Sequence, residues 1–198
     1  MTHAGRRERK KAATRQALAD AALRLFLEHG YDGVTVTRIA DAADVSLATL
    51  FKHVPDGKQA VIFDDGAERR DGILAALRDR PAGQPPLRAL LAFFAHRGPF
   101  AADIPAAVRR RRDLILATPE LARYQRTLWL RAEIPLAEAL AAESGRAEPA
   151  AADRALARYL LEAPELAAAE RNPRAALREI FEHLESGWAT GEDSATSR

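Results

Sequence analysis

Residues 35–53 read TVTRIADAADVSLATLFKH, two short amphipathic segments on either side of a tight turn. In the first, 36–43, Ile39, Ala40 and Ala43 share one face. In the second, 47–53, Leu50 is assigned to the core and Phe51 partly to it. Asp44 and Val45 lie in the turn, and Ser46 is a residue type favoured at helix N-caps. A turn this sharp calls for positive φ, which Asp tolerates better than most non-glycine residues. Two helices joined so closely form a helix-turn-helix. Its second helix has the width to enter the major groove of DNA.

The rest of the chain agrees with an all-α fold. Apolar residues make up 47% of the 198 positions and aromatic ones only 6%, with one or two domains in prospect. Ala, Leu, Arg and Glu dominate, and β-branched residues are scarce. There is no cysteine, so disulfides and thiolate metal sites are excluded. No apolar run reaches the roughly 18 residues of a membrane span. The polar N-terminus lacks the apolar core of a signal peptide. A cytoplasmic protein with no membrane partner is expected. The net charge of +2 is uninformative, but its distribution is not. Residues 1–16 carry Arg6, Arg7, Arg9, Lys10, Lys11 and Arg15 against Glu8 alone, a local charge of +5. By itself this is a solvated tail. In front of a helix-turn-helix it is an arm for phosphates or a minor groove.

Periodicity predicts the first helix over 14–29, with Leu18, Ala21, Ala22, Leu25 and Phe26 as its buried stripe. Gly30 suits the position after its end. Thr35 is the expected cap of the next helix. A long helix is expected over 58–80, bent at Gly66 and Gly72. PAGQPP at 81–86 is the clearest boundary. Further helices are expected over 87–97, 104–117, 119–143 with a kink at Pro135, 150–161 and 173–188. The tail after Gly191 reads as disordered. The domains are then 1–57 for the helix-turn-helix with its basic arm, 58–80 for a connecting helix, and 81–190 for a larger helical domain.

Over roughly residues 14–62 the chain resembles the TetR family of bacterial transcription regulators. The resemblance rests on Arg15, Ala21-Ala22, Leu25-Phe26, Gly30, Thr35-Val36, Ile39-Ala40, Ala43, Val45-Ser46, Thr49-Leu50-Phe51, His53 and Lys58, all in register. DLILATPEL at 113–121 is also similar to a run seen in many members. The resemblance implies a three-helix DNA-binding domain, a larger helical domain that holds a ligand pocket, and a homodimer. Three positions depart from the family. Asp44 stands where a glycine is usual, Phe51 replaces a tyrosine, and Val54 replaces an aromatic residue.

Within this motif Leu47, Ala48, Thr49 and Lys52 face the groove. Thr49 offers a hydroxyl and a methyl to base edges, while Leu47 and Ala48 offer apolar contact only. Lys52, His53 and Lys58 are assigned to phosphates. Ser46 caps the second helix and donates to a phosphate. Thr35, Thr37 and Arg38 begin the first helix of the motif, where backbone N–H groups attract anions. Arg15 completes the DNA-binding set.

In the second domain Arg109, Arg110, Arg111 and Arg112 are consecutive. Successive helical residues point about 100° apart, so the four ring their helix and make no stripe. Ion pairs with Asp103, Asp113, Glu120 or Glu133, or plain solvation, are the expected role. Phe93, Phe94, His96 and Trp129 are the candidate ligand-binding residues, with Phe100, Leu114, Leu128 and Ile134 as further lining. The effector expected is a mostly apolar small molecule, and ordinary core packing is the competing reading. Two apolar stripes close the chain: Leu156, Tyr159, Leu160 and Ala163, then Leu177, Ile180, Phe181, Leu184 and Trp188. They serve either as a core face or as a four-helix dimer interface. The five histidines show no i, i+4 pairing, and no nucleotide-binding or nucleophile motif occurs. No cofactor, metal or catalytic residue is expected.

The reading that unites these features is a dimeric, ligand-responsive regulator, most simply a repressor released from a palindromic operator. Its alternatives are an activator or a ligand-independent regulator of the same fold. More distant ones are a helical enzyme and a structural protein with an incidental basic arm.

Overall fold

A computed structural model of the protein describes residues 3–64, 66–101 and 105–189, apart from the side chains at 3, 4, 6, 188 and 189. The expected helix start at Ile104, the ion-pair partner Asp103, the side chain of Trp188 and the tail after Gly191 lie outside these. The described residues form helices and no strand. The helices are α1 (His3–His29), α2 (Val36–Ala42), α3 (Leu47–His53), α4 (Ala67–Arg78), α5 (Pro86–Ala95), α6 (Ala106–Ala117), α7 (Pro119–Leu130), α8 (Glu133–Glu143), α9 (Ala151–Ala168) and α10 (Pro173–Ala189). No helix among the described residues is long and apolar enough to cross a membrane.

The chain divides by its contacts into two compact units. One comprises Met1–Asp65 and Pro105–Gln125, the other Gly66–Ile104 and Arg126–Arg198. The division falls later than residue 57 and groups α6 with the N-terminal helices. In the first unit the stripe Leu18, Ala21, Ala22, Leu25 and Phe26 is buried, as its period requires. α6 packs on α1. Arg111 turns inward, donates to the Ile62 carbonyl at 2.6 Å and lies 5.6 Å from the Phe63 ring. Tyr124 donates to the Asp56 carboxylate at 2.7 Å.

Four of the expected helix spans change, each for a local reason. α1 begins at residue 3 rather than 14. The run from Arg6 to Arg15 is built of Arg, Glu, Lys, Ala and Thr with no proline, so little opposes a helix there. The long helix expected over 58–80 is instead a 3-10 turn at Lys58–Ala60, a loop, and then α4. Gly66 lies immediately before α4, in the left-handed conformation at φ 81°. A Cβ there would lie 3.3 Å from the Leu128 carbonyl oxygen, so the position needs glycine for space as well as for φ. The helix expected over 119–143 is two, α7 and α8. Pro135 does not kink a continuous helix. Its ring would clash with the carbonyl four residues back, at Arg131, so the chain breaks there and Pro135 sits in the first turn of α8. By contrast α9 runs through Pro164 to Ala168, past the expected end at 161. The buried Leu160, Leu161, Ala163 and Ala167 hold both sides of that proline in one helix.

The second unit has one core, in which Ile73, Leu77, Leu90, Phe94, Leu136, Leu140, Leu156, Leu160, Leu177 and Phe181 are buried. Gly72 lets α4 approach α5, since a Cβ there would meet the Phe93 ring at 3.0 Å. α9 is fastened at its start by Asp153, which accepts from the Ala150 N–H at 2.8 Å and from Arg146 at 2.5 Å. Arg80 reaches Glu143 in an ion pair. A mixed network of Arg126, Glu162, Arg158 and Glu133 spans α7, α8 and α9.

The two C-terminal stripes are therefore core stripes in large part. Leu160 is 0% and Phe181 2% exposed, whereas Tyr159, counted in the same stripe, is 59% exposed. Leu160→Ala is expected to cost about 2–5 kcal/mol, the range for truncating a buried leucine. Urea unfolding followed by circular dichroism measures this, and an unchanged midpoint would place Leu160 outside the core.

Candidate nucleic-acid interface

The motif is built as its sequence suggests. Thr35 caps α2, its hydroxyl oxygen accepting from the Arg38 N–H at 3.2 Å. Ser46 caps α3, accepting from the Thr49 N–H at 3.1 Å and sharing a second hydrogen bond with the Thr49 hydroxyl at 2.8 Å. Between them Asp44 has φ 53°, and among the described residues it alone of the non-glycines has positive φ. The Val45 N–H then donates back to the Ala40 carbonyl at 3.0 Å, which closes the turn. Aspartate thus supplies the left-handed residue where a glycine is usual. Ile39, Ala40, Leu50 and Val54 are buried and set the angle of the two helices on α1. Val54 fills its aliphatic place at 0% exposure.

The outward face of α3 carries Leu47, Ala48, Phe51 and Lys52, all exposed, with Thr49 half-buried. Phe51 is 44% exposed, which corrects its partial assignment to the core. Leu50 and Val54 occupy the inward face, and a residue one step from Leu50 is turned about 100° away from it. On α2, Thr37 and Arg38 are exposed. The Arg38 guanidinium donates to His29 Nε2 at 2.7 Å.

Two cations of the expected phosphate-binding set face inward. Arg15 donates to the carbonyls of His53 at 2.7 Å, Ala60 at 3.1 Å and Phe63. Lys58 donates to the carbonyls of Tyr31 at 2.9 Å and Val34 at 3.1 Å, with its ammonium 3.9 Å above the Tyr31 ring. Burial, and after it the charges of Glu120 and Asp32, pushes the Tyr31 phenol above its ordinary value. The geometry of both cations is that of clamps on carbonyls, a role their sequence spacing does not display.

The charge of Arg15 still acts at the surface. The His53 imidazole is held below its ordinary value by burial first, then by Lys52, Lys11 and Arg15. Lys11 therefore stands near the end of α3. Arg7, Lys11 and Arg15 are spaced four apart on α1, so they form one row along the helix. Arg7 and Lys11 are exposed; the sequence marks them as part of a basic arm but not as one row. The signal was there in the four-residue spacing, but it counts only once the segment is helical.

The description "Bacterial regulatory proteins, tetR family" matches residues 18–63 of this chain. MftR, a transcriptional regulator of Mycobacterium tuberculosis, is 31% identical over 148 residues, which cover 73% of each chain. The chain belongs to the TetR family. The HTH-type transcriptional regulator TcmR of Streptomyces glaucescens is 41% identical over 90 residues, 46% of this chain and 39% of TcmR. The match thus spans about two fifths of that relative. Among solved structures, Salmonella enterica GusR shares the fold at a TM-score of 0.54 and 20% identity, over 89% of this chain and 94% of that one. The helix-turn-helix is accordingly that of a DNA-binding transcriptional regulator.

In this TetR-family chain the other candidate residues separate. Phe94 is 2% exposed in the core of the second unit. Three rings surround it, Phe93 at 5.2 Å, Trp129 at 5.7 Å and Phe181 at 6.1 Å. The Arg97 guanidinium covers the Phe93 ring at 4.2 Å, and Arg69 lies 5.8 Å from Trp129. His96 follows the end of α5 and is exposed. Leu114 belongs to the first unit, and Ile134 is 69% exposed, so neither joins this cluster. Of the arginine run, Arg111 is tied to Ile62 and Arg112 pairs with Asp113 at 2.7 Å.

Arg15→Met keeps the aliphatic stem and removes the fork. Losing hydrogen bonds from a charged group, and leaving their carbonyls unpaired, costs about 1.5–3 kcal/mol. Lys58→Met is expected to cost a similar amount. Thermal unfolding of both variants tests the clamps. Full stability together with weakened DNA binding would show instead that the two cations act on phosphates.

Proposed function

We propose that the protein is a homodimeric repressor that occupies a palindromic operator and leaves it when a mostly apolar small molecule binds its second unit. The observation that carries the DNA part is the exposed face of α3 beside the cationic row of α1. Thr37, Arg38, Ser46, Thr49, Lys52 and His53 supply polar groups around that face. Leu47 and Ala48 supply apolar ones, and Thr35 holds the start of α2.

The helical state of the basic arm favours one of its two expected roles. A helix with side chains is about 10–12 Å across, and the minor groove is about 6 Å wide. Arg7, Lys10 and Lys11 on a helix therefore suit phosphates along the backbone and not the floor of the minor groove.

Dimerisation is assigned to the outer faces of α9 and α10. Leu166 is 62% and Tyr159 59% exposed on α9. A groove of about 790 Å³ runs between the two helices, its lining mixing the apolar Leu166, Ile180 and Leu184 with the polar Glu170, Glu179 and His183. A second copy placed there forms the four-helix arrangement that a two-fold axis permits. Phe93, Phe94 and Trp129 are the proposed ligand contacts. The effector must bind the DNA-incompetent state better than the competent one, since equal affinity for both shifts nothing.

Repression is favoured over activation on economy. A dimer on its operator excludes other proteins from the same grooves by occupancy alone, whereas activation requires a further contact with the transcription machinery.

The reading is tested by selecting duplexes from a random pool with the purified protein and weighing the complex by sedimentation. A palindromic consensus bound by two chains is the expected result. Leu166→Glu is expected to yield folded monomers with much weaker operator binding. A folded Leu166→Glu dimer, or selection of no sequence, would count against the assignment.

His53 gives a pH test with a definite sign. In the free protein its imidazole is depressed, hence mostly neutral at pH 7. A phosphate brought beside it favours the charged form, so binding takes up a proton and affinity rises as pH falls through the bound-state value. Between about pH 7.5 and about pH 5.5 the wild type should gain more affinity than His53→Gln. Identical slopes would remove His53 from the phosphate contacts.

A further inference from the structure

Leu47 and Phe51 are four residues apart on α3, so their side chains share one face of the helix. They are 39% and 44% exposed. The fold gains little from either, because α3 is seated by the buried Leu50 and Val54 and by Arg15 on the His53 carbonyl. Ala48, also exposed, extends the same apolar surface.

The hydrogen-bonding capacity of this face is small. The Thr49 hydroxyl is half-buried and already shares a bond with Ser46. Among the exposed residues of α3 that leaves Lys52 as the one side chain with strong donors ahead of His53. Base edges are read either by hydrogen bonds or by apolar contact, and the apolar feature of the major groove is the thymine C5 methyl. The surroundings favour a polyanion as the occupant, because Lys52, Lys11 and Arg15 all bear on the end of the same helix.

Resting on the DNA-binding reading above, we infer that Leu47 and Phe51 form an apolar ledge that reads thymine C5 methyl groups in the major groove. Specificity then comes from thymines placed within reach of one helical turn, and it comes largely without hydrogen bonds. Phe51 is a specificity-determining residue in this account, where a hydroxylated ring would turn to the backbone.

Duplexes selected by the wild-type protein from a random-sequence pool supply the probe. The same duplexes are then made with deoxyuridine in place of single thymidines, which removes the methyl and nothing else. The wild type is expected to bind each substituted duplex about four-fold more weakly at the positions read, the worth of one buried CH2 group. Leu47→Ala and Phe51→Ala should each bind the thymine duplex more weakly and lose the thymine-over-uracil preference at one position. Both variants trim exposed side chains, and unchanged helical circular dichroism verifies the fold. Equal binding of thymine and uracil duplexes by the wild type overturns the inference and leaves the DNA-binding reading standing. Variants that discriminate as well as the wild type also overturn it and place the Phe51 ring against sugar and phosphate. Selection of no sequence removes the DNA-binding reading and the inference together.

Discussion

The guanidinium of Arg15 is the contact on which the helix-turn-helix depends. A seven-residue helix is far below the length that is stable alone, so α3 exists only where its surroundings hold it. Leu50 and Val54 hold its inner side, and Arg15 takes the terminal carbonyl of His53. The same fork donates to the carbonyls of Ala60 and Phe63, which folds the segment after α3 back on α1. Five N–H donors in a rigid plane suit several fixed acceptors, a task a lysine performs less well. Where two acceptors and a ring suffice, the chain uses Lys58, whose ammonium joins the carbonyls of Tyr31 and Val34. The connections on both sides of the motif are thus tied by cations.

The Arg15 clamp also sets the electrostatics of the surface it supports. A cation held at the end of α3 cannot be removed without loosening the helix, so its field is a fixed property of the site. His53 registers that field as a depressed imidazole. Arg7 and Lys11 prolong it along α1 because the arm is helical and its cations recur every four residues. A flexible arm with the same composition would spread its charge and lose conformational entropy on binding. In the proposed complex the helical arm would have its row ordered before DNA arrives.

Features governed by local chemistry were legible in the sequence. The α1 stripe, both N-caps and the left-handed Asp44 follow from residue type and period, whereas the segment after residue 58 reads as one bent helix and is instead a turn, a loop and α4. Features that need a partner elsewhere in the chain were not. Lys58 and Arg15 look like surface cations until the carbonyls beneath them are known. Phe51 looks like core until Leu50 and Val54 take the inward positions. Pro135 reads as a kink because sequence cannot tell the middle of a long helix from the start of a second one. Tyr159 fits a core period, yet the helix turns it outward beside Glu162, whose carboxyl is held low by hydrogen bonds from Arg126 and Arg158. An ionic network and an apolar ring share that face of α9, and periodicity alone does not separate them.

The aromatic cluster of the second unit bears on how a regulator of the proposed kind would respond. Phe94 is packed against three rings, and such pairs contribute about 0.5–1.5 kcal/mol each beyond their buried area. An effector seated among them must first part these contacts, at a cost of about 3 kcal/mol if all three are lost. The binding-competent state is then rare, and apparent affinity falls on the order of a hundredfold below the intrinsic one. The ligand-free packing is the default, and only a molecule that replaces the lost ring contacts with apolar surface of its own restores the balance. A default state that persists without ligand, and yields to a molecule matched to the cluster, is the behaviour required of a protein that stays on its operator until an apolar effector accumulates.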